Sequence, residues 1–326
     1  MKKTILSFVA FVFATVCWGQ QQLVATLTHG EEISMFYGTY AYRDAMNAAV
    51  DGDVINLSGG GFQATTINKA VSIRGAGVDS AYPTFIINDF NINVPEESTG
   101  RLAIEGVRIS NTITVNGTLT NAYFLKSSIE KYSTANGALA KNAMFVNCKI
   151  ANVKVDLGNA ISQFLNCYVA NYYSNTSASS ACFINCVIVP YGGNSADQIR
   201  NSTLLNSCLV NTIYNYPGYL SSSAQATNCV AVNTNGYNVF KNVSASLNNK
   251  SVKDMSLFID SDYMKDLTEE AKATYLGTDG TPVGMYGGPM PFDMTPTYPQ
   301  ITKMNVASKT TADGKLSVDI EVSAAK

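Results

Sequence analysis

Side chains that could perform acid–base or metal chemistry are scarce in the middle of the chain. Between Glu130 and Asp254 the only acids are Asp156 and Asp197, and the only arginine is Arg200. Polysaccharide lyases need clustered carboxylates for Ca²⁺ and a base that removes a proton, and glycoside hydrolases need two nearby carboxylates. The two acids would form such a pair only if they shared one face of the fold. We therefore predict no catalytic residue, no metal site and no cofactor.

The acidic residues concentrate instead between positions 254 and 270. Asp260 and Asp262 could bind Ca²⁺, but they lack the ordered ligand spacing of a dedicated calcium loop. We interpret this segment as a solvated, charged face. The net charge of −2 leaves no basic surface that would attract nucleic acid.

Tyrosines are dense between residues 168 and 219. Exposed tyrosine rings can stack on sugars and bind polar groups through their hydroxyls, whereas the alternative is that these rings pack within a β-rich fold. If the protein has a ligand site, we place it here, and the low local charge favours a neutral glycan. Because adjacent strand residues face opposite sides, Tyr172 and Tyr173 cannot both join one exposed strip. The predicted ligand-binding residues are Tyr172, Tyr173, Tyr191, Tyr214 and Tyr216.

An internal repeat determines how these residues are arranged. Units of the pattern apolar-x-Asn-Cys-x-apolar-x-Asn, with looser copies upstream, begin at residues 104, 124, 145, 164, 183, 204 and 226. The repeat length is therefore 19 to 22 residues. Leucine-rich repeats share this length, but they require a Leu-x-x-Leu-x-Leu run and a helical return, and this chain has neither. Stacked coils of an all-β parallel solenoid, which bury a common interior, fit the pattern instead.

Stacking of the coils would place equivalent residues in ladders about 4.8 Å apart. Asparagine tolerates the left-handed backbone of tight turns and can hydrogen-bond to neighbouring turns. We therefore interpret the asparagine ladder as structural, in preference to a carbohydrate site. Its members are Asn147, Asn166, Asn185, Asn206 and Asn228.

The cysteines form a second ladder, in which Ser207 fills one position. In-register Cβ atoms of parallel coils are farther apart than a disulfide allows, so we predict reduced, buried thiols. Cys182 and Cys208 lie off this ladder, although a shift of one residue would bring Cys208 into it. The ladder cysteines are Cys148, Cys167, Cys186 and Cys229.

Both ends of the repeat region carry a specific resemblance. Residues 40–50 show an apolar stripe at helical spacing, which predicts a helix before the first strand. Residues 48–57 and 67–75 resemble the capping helix and first coil of right-handed parallel β-helix proteins of the pectate-lyase-like superfold. Residues 277–288 resemble the segment that ends the solenoid in exported β-helix proteins from Bacteroidetes-type bacteria. The resemblance implies a right-handed parallel β-helix, a fold that hosts lyases, hydrolases and esterases as well as non-enzymes.

The first residues predict export. A positively charged start and an apolar run too short to span a bilayer predict a signal peptide over residues 1–19, cleaved after Gly19. The alternative is a lipid anchor at Cys17, but Val16 is larger than the residue that such a processing site prefers. We expect a protein that is secreted or held at the cell surface and that has no transmembrane segment.

The remaining chain is predicted to have two parts. Residues 20–292 form the β-helix with its N-terminal cap, and residues 293–326 form a proline-rich linker and a short β-hairpin. The leading functional hypothesis is a non-catalytic protein that binds glycan or another cell-surface partner. The alternatives are a polysaccharide lyase or glycoside hydrolase, and a structural or adhesin-like module.

Overall fold

The predicted all-β solenoid is confirmed, with a short helix at its start and a hairpin at its C-terminal end. The structure is a computed structural model. It describes residues 23–135, 137–154, 161–173, 180–190, 199, 202–211, 220–234, 236, 238–243, 245–261, 264–306, 309–311 and 313–323.

Helices are few and short in the described part of the chain. They are α1 (Ala41–Ala48), a 3₁₀ turn (Met255–Leu257) and α2 (Glu269–Thr274). Neither α-helix there is long and apolar enough to cross a bilayer.

The strands are short and follow one another at regular intervals. The first ten are β1 (Val24–His29), β2 (Glu32–Tyr37), β3 (Val54–Leu57), β4 (Gly60–Gln63), β5 (Ser72–Arg74), β6 (Thr84–Ile87), β7 (Phe90–Ile92), β8 (Ala103–Glu105), β9 (Val107–Val115) and β10 (Thr118–Thr120). The next ten are β11 (Tyr123–Leu125), β12 (Ser128–Thr134), β13 (Leu139–Lys141), β14 (Met144–Val146), β15 (Lys149–Lys154), β16 (Ile161–Leu165), β17 (Tyr168–Tyr173), β18 (Ser180–Ile184), β19 (Val187–Pro190) and β20 (Thr203–Leu205). The last are β21 (Cys208–Asn211), β22 (Gln225–Thr227), β23 (Val230–Asn233), β24 (Ala245–Leu247), β25 (Lys250–Val252), β26 (Phe258–Ser261), β27 (Met264–Leu267), β28 (Gln300–Val306) and β29 (Val318–Ser323).

Two long sheets form the walls of the solenoid. Sheet 1 has the order β2-β1-β3-β5-β8-β11-β14-β16-β18-β20-β22-β24, and it is parallel from β3 onward. Sheet 2 has the order β25-β23-β21-β19-β17-β15-β12-β9-β6-β4, with β7 beside β9. A third, short wall is formed by β10 and β13. Each coil therefore contributes one strand to sheet 1 and then one to sheet 2.

The repeated asparagines form the corner between the two sheets. Seven residues that follow sheet 1 strands have φ between 48° and 54°, the left-handed region that asparagine tolerates better than other side chains. Six of these seven turns also continue the ladder of backbone hydrogen bonds between coils, as when Asn166 donates its backbone N–H to the carbonyl of Ile184. The structural interpretation of the ladder is confirmed, and it extends to Lys126 and Asn248. The seven are Lys126, Asn147, Asn166, Asn185, Asn206, Asn228 and Asn248.

The interior is a stack of side chains in register. Consecutive phenylalanine rings of sheet 1 lie parallel, with centroids 4.7, 4.9 and 4.9 Å apart. Such spacing follows from the distance between strands, so identical residues at one position pack as a continuous column. The rings are those of Phe124, Phe145, Phe164 and Phe183.

The N-terminal end is closed by α1, as the sequence predicts. Tyr42 and Met46 are buried against the first coils. Asp51 accepts the backbone N–H of Ala70 at 2.7 Å, and Asp53 accepts that of Val50 at 2.8 Å. These carboxylates hold backbone amides of the turn, so their role is structural.

Candidate binding face

Tyr172 lies inside the solenoid and does not reach the surface. Its side chain is 1% exposed, and its ring packs edge-on against Phe164 and Phe183 at centroid distances of 6.3 and 5.1 Å. Burial raises the pKa of its hydroxyl. The expectation that Tyr172 lines an exposed strip is therefore corrected, and the alternative of packing within the fold holds for this residue.

A local break in the strand explains the position of Tyr172. If side chains alternated strictly along β17, the inward-facing Val169 would imply an outward-facing residue 172. Asn171 has φ 47°, and the register with β19 shifts between Ala170 and Tyr172. The extra residue reverses the alternation and turns Tyr172 inward.

Ligand binding by the other four predicted tyrosines stays a prediction. Tyr191, Tyr214 and Tyr216 lie outside the described residues. The backbone of Tyr173 pairs with Lys154 of the preceding coil. These four positions therefore neither support nor contradict the predicted exposed tyrosine strip.

The chain after the last coil covers the outer face of sheet 2 between β17 and β23. Four outward residues that adjoin one another in register are buried, with exposures of 7%, 1%, 0% and 2%. They form a second apolar cluster with Val283 and Met285, together with residues of β26, β27 and α2. This part of sheet 2 is therefore unavailable to a ligand. The covered residues are Tyr168, Val187, Cys208 and Val230.

Residues 276–298, here called the closing segment, run back along the asparagine corner. Near its start, Thr278 donates its N–H to Asn206 Oδ1 at 3.0 Å. Farther along, Asn166 Nδ2 donates to the carbonyl oxygens of Met285 at 2.9 Å and Gly287 at 2.6 Å. As the closing segment advances, it therefore contacts asparagine turns of progressively earlier coils. It lies along the side of the solenoid and does not cap its C-terminal end.

Polar contacts fix the end of the closing segment near the N-terminal coils. Lys126, which is buried at the corner, bonds Asp293 at 2.9 Å. Glu105 accepts the N–H and the hydroxyl of Thr297 at 2.6 and 2.7 Å. The hydroxyl of Tyr298 donates to the carbonyl of Gly75. The proline-rich stretch is thus docked against the solenoid up to Tyr298.

Gly288 shows how closely the closing segment approaches the corner. A Cβ at this position would lie 1.9 Å from Asn185 Nδ2, and φ is 74°. Both facts require glycine at this position.

The outer face of sheet 1 remains accessible. Between β11 and β22, one residue of each strand forms an outward column in register, half-buried at first and exposed at its last two members. None of the six is charged at neutral pH, and five strand spacings give the column a length of about 24 Å. The column, here called the uncharged face, consists of Tyr123, Met144, Gln163, Cys182, Thr203 and Gln225.

An apolar column runs parallel to the uncharged face, two residues along each strand. Leu165, Ile184 and Leu205 are half-buried, whereas Leu125 and Val146 are buried. Together the two columns give a flat surface that combines aliphatic groups with amides and hydroxyls. Such a surface is suited to a ligand with apolar and hydroxyl-bearing faces.

The first member of the uncharged face has a distinct environment. The guanidinium of Arg101 lies 4.8 Å from the ring centroid of Tyr123, a cation–π distance. Burial raises the pKa of the Tyr123 hydroxyl, so it is a neutral donor at physiological pH. Exposed amides of Asn121 and Asn142 flank it and bond each other at 3.4 Å. Sequence reasoning missed this group because its members belong to the looser upstream repeats.

Three carboxylates of the described coils bind backbone groups of the fold. The carboxylates of Asp51, Asp53 and Glu105 each accept a backbone N–H. Among the residues that the structure describes, no three His, Cys, Asp or Glu side chains come together as a metal site would require. Asp156, Asp197 and Arg200 lie outside the described ranges.

The cysteine ladder has the predicted arrangement. The thiols of Cys148, Cys167 and Cys186 each lie 3.2 to 3.4 Å from two backbone carbonyls at the corner, and the single S–H hydrogen can bond either one. The hydroxyl of Ser207 has the same choice, with the carbonyls of Leu205 and Phe183 at 2.9 and 3.4 Å. The described thiols are free, which agrees with the reduced ladder.

Cys208 does not shift into the ladder. Ser207 occupies the interior position, and Cys208 packs outside, in the cluster beneath the closing segment. Cys182 is half-buried within the uncharged face. These two positions confirm that both residues lie off the ladder.

Comparison of the chain with known protein families, with curated proteins and with solved structures finds no match.

Proposed function

We propose that this protein is an exported, non-catalytic binding solenoid whose uncharged face holds a neutral glycan chain. The observation that carries the proposal is the continuous, accessible column from Tyr123 to Gln225, without a charge along about 24 Å. That length accommodates several sugar rings of an extended chain.

The chemistry of the face favours a neutral glycan over an acidic one. Acidic sugars are bound by fixed cations, and none belongs to the two outward columns between β11 and β22, although the Arg101 guanidinium lies against the first member, Tyr123. Gln163, Thr203 and Gln225 offer donors and acceptors that match hydroxyl groups. The half-buried members of the neighbouring column, Leu165, Ile184 and Leu205, can contact the apolar faces of sugar rings.

The fold also suits an extended ligand. The strands of sheet 1 present equivalent positions at a constant spacing, so a linear polymer can repeat the same contacts along the rod. The second apolar cluster covers the outer face of sheet 2 between β17 and β23, whereas the outer face of sheet 1 stays accessible beside those same coils.

The proposal is tested with an array of neutral and acidic glycans, followed by affinity measurements on Tyr123→Ala and Gln163→Ala. Loss of one or two hydrogen bonds at each site is expected to weaken binding about 3- to 10-fold. Tyr82→Ala is the matched control, since Tyr82 is 67% exposed on a loop away from the face. Unchanged affinity in both test variants, or binding to acidic glycans alone, overturns the proposal.

The tyrosine prediction provides a second set of variants for the same assay. Tyr173, Tyr191 and Tyr214 follow successive repeat units, and we propose them as an aromatic extension of the ligand site. Tyr→Ala changes at these positions are expected to weaken binding of the same glycan. If all three variants bind the glycan with the affinity of the unchanged protein, the ligand site is confined to the uncharged face.

A further inference from the structure

Two apolar stripes of the same pattern are exposed in this protein. The N-terminal stripe consists of alternate residues of β2, Ile33, Met35 and Tyr37, which are 67%, 58% and 55% exposed. The C-terminal stripe consists of alternate residues of β29, which are 48%, 49% and 59% exposed. Monomeric proteins rarely leave such contiguous apolar surface open. The C-terminal stripe contains Val318, Ile320 and Val322.

The N-terminal stripe lies on a firmly held edge strand. β2 is the end strand of sheet 1, and Phe36, on its other side, packs against the solenoid core. In register, Met35 pairs with Thr26, and Thr26 pairs with Asn56, so the stripe continues the outer face of sheet 1. The edge has no proline, lysine or bulge of the kind that protects edge strands.

The C-terminal stripe belongs to a hairpin that needs a partner. β28 and β29 pair only with each other among the described strands, and all six residues of β29 are exposed. A two-stranded hairpin is marginally stable in water unless its apolar side packs on something. The exposed stripe is therefore the side on which a partner surface would stabilise it.

The closing segment brings the two stripes to the same end of the solenoid. Tyr298 is bonded to Gly75, and the hairpin begins at Gln300. β5, which precedes Gly75, is separated from β2 by β3 and β1, a distance of about 14 Å. In this single chain both stripes nevertheless remain uncovered, so the hairpin does not occupy the N-terminal stripe of its own chain.

The two surfaces match in length, pattern and charge. β2 and β29 each have six residues with three apolar side chains on one face. Glu31 lies in the turn of the N-terminal hairpin and Glu32 begins β2, whereas the loop of the C-terminal hairpin carries Lys309 and Lys315 with one acid, Asp313. The acids of β29, Asp319 and Glu321, alternate with the apolar stripe and so lie on the opposite side of that strand. An acidic turn opposite a basic one favours pairing of the two different surfaces over pairing of like surfaces.

We propose that these stripes bind each other between two copies of the chain. The hairpin of one protomer lies on the N-terminal stripe of its partner, and the partner's hairpin lies on the first protomer's stripe, as in a reciprocal exchange. This proposal is independent of glycan binding.

The test is the molar mass of the full chain in solution, measured by light scattering during size exclusion over a range of concentrations. A dimer is expected for the unchanged protein. Met35→Lys and Ile320→Lys should each yield monomers, because each places a charge in one of the apolar stripes. Tyr82→Lys, at an exposed aromatic residue outside both stripes, should remain dimeric. Circular dichroism checks that every variant keeps the fold.

Mixing the two variants separates docking between chains from other causes. The Met35→Lys chain retains an intact hairpin and the Ile320→Lys chain an intact N-terminal stripe, so their mixture should restore a heterodimer through one interface. A monomeric unchanged protein overturns the proposal. So does a dimer that persists in both variants, or a mixture in which no heterodimer forms.

Discussion

At the residue scale, the corner between the sheets depends on side chains that satisfy backbone groups. Asparagine occupies the left-handed turn, and the next residue, cysteine or serine, bonds a carbonyl of its own or the preceding coil. Asn249 takes the same position in the last coil and accepts the N–H of Cys229 at 2.8 Å. Polar side chains at this position bond backbone groups, and Val107 fills it in an upstream coil after the left-handed Gly106, so the thiol has no need of redox chemistry there.

Burial of these thiols gives the protein a defined response to alkaline pH. Burial raises the pKa of Cys229 from 9.0 to about 12. Below pH 9 the Cys229 thiol is protonated in both the folded and the unfolded state, so its ionisation does not lower the free energy of unfolding. Between pH 9 and 12 only the unfolded state releases it, so the free energy of unfolding falls as pH rises, by up to about 1.4 kcal/mol per pH unit.

We expect Cys229→Ser to reduce that alkaline loss of stability, because serine does not ionise in this range and already occupies the ladder at Ser207. The measurement is urea unfolding of both proteins, with reductant, at pH values below 9 and between 9 and 12. Cys182→Ser, at a half-buried position, is the control and should alter the slope less. An identical slope in Cys229→Ser and the unchanged protein would contradict the expectation.

At the scale of elements, the closing segment helps to cover the outer face of sheet 2 between β17 and β23. Its position depends on the amide of Asn166, the Lys126–Asp293 pair and the apolar contacts of Met285, which is 1% exposed. The same cluster buries Cys208 completely. The reactivity of that thiol therefore reports whether the segment is in place.

We expect Met285→Ala to loosen the closing segment, since truncating a buried methionine costs about 2–5 kcal/mol. Alkylation of Cys208 at neutral pH, followed by mass spectrometry, should be faster than in the unchanged protein. Cys148 and Cys167, inside the solenoid, should stay protected in the same sample. Met290→Ala is the matched control, because Met290 belongs to the same segment and is 45% exposed. Equal alkylation of Cys208 in the two variants would show that Met285 does not hold the segment.

At the scale of the whole molecule, each coil is stabilised mainly by its two neighbours, as in other solenoids. The central coils have the phenylalanine stack, with ring centroids less than 5 Å apart. The last strand of sheet 1, β24, has no strand beyond it in the described chain, and all three of its residues are exposed. Stability should therefore decrease toward that end.

Hydrogen exchange should reveal this gradient. Backbone amides of β11, β14, β16 and β18 are expected to exchange most slowly, and those of β24 and β25 most rapidly, because local opening at an end disrupts a single interface between coils. Exchange followed by mass spectrometry of peptides measures both groups in one experiment. Uniform protection along the solenoid would indicate that it opens as one cooperative unit.

The sequence by itself determined the coil. A ladder of asparagines at 19- to 22-residue spacing predicts left-handed turns at equivalent places, and the following cysteine and apolar residue predict the inward positions. The capping helix and the C-terminal hairpin could also be predicted, because helical periodicity and strand alternation are local properties. The looser repeats were harder to read, and Lys126 was missed since lysine seldom adopts a left-handed turn.

Only the tertiary structure decided which surfaces remain open. Tyr172 turns inward because Asn171 inserts an extra residue into its strand, a break that alternation alone does not reveal. The closing segment lies along the corner because Asn166, Lys126 and Glu105, distant in sequence from it, present matching polar groups. Such contacts depend on how the coils stack and not on any local pattern, so the uncharged face on sheet 1 emerges only when the chain is folded.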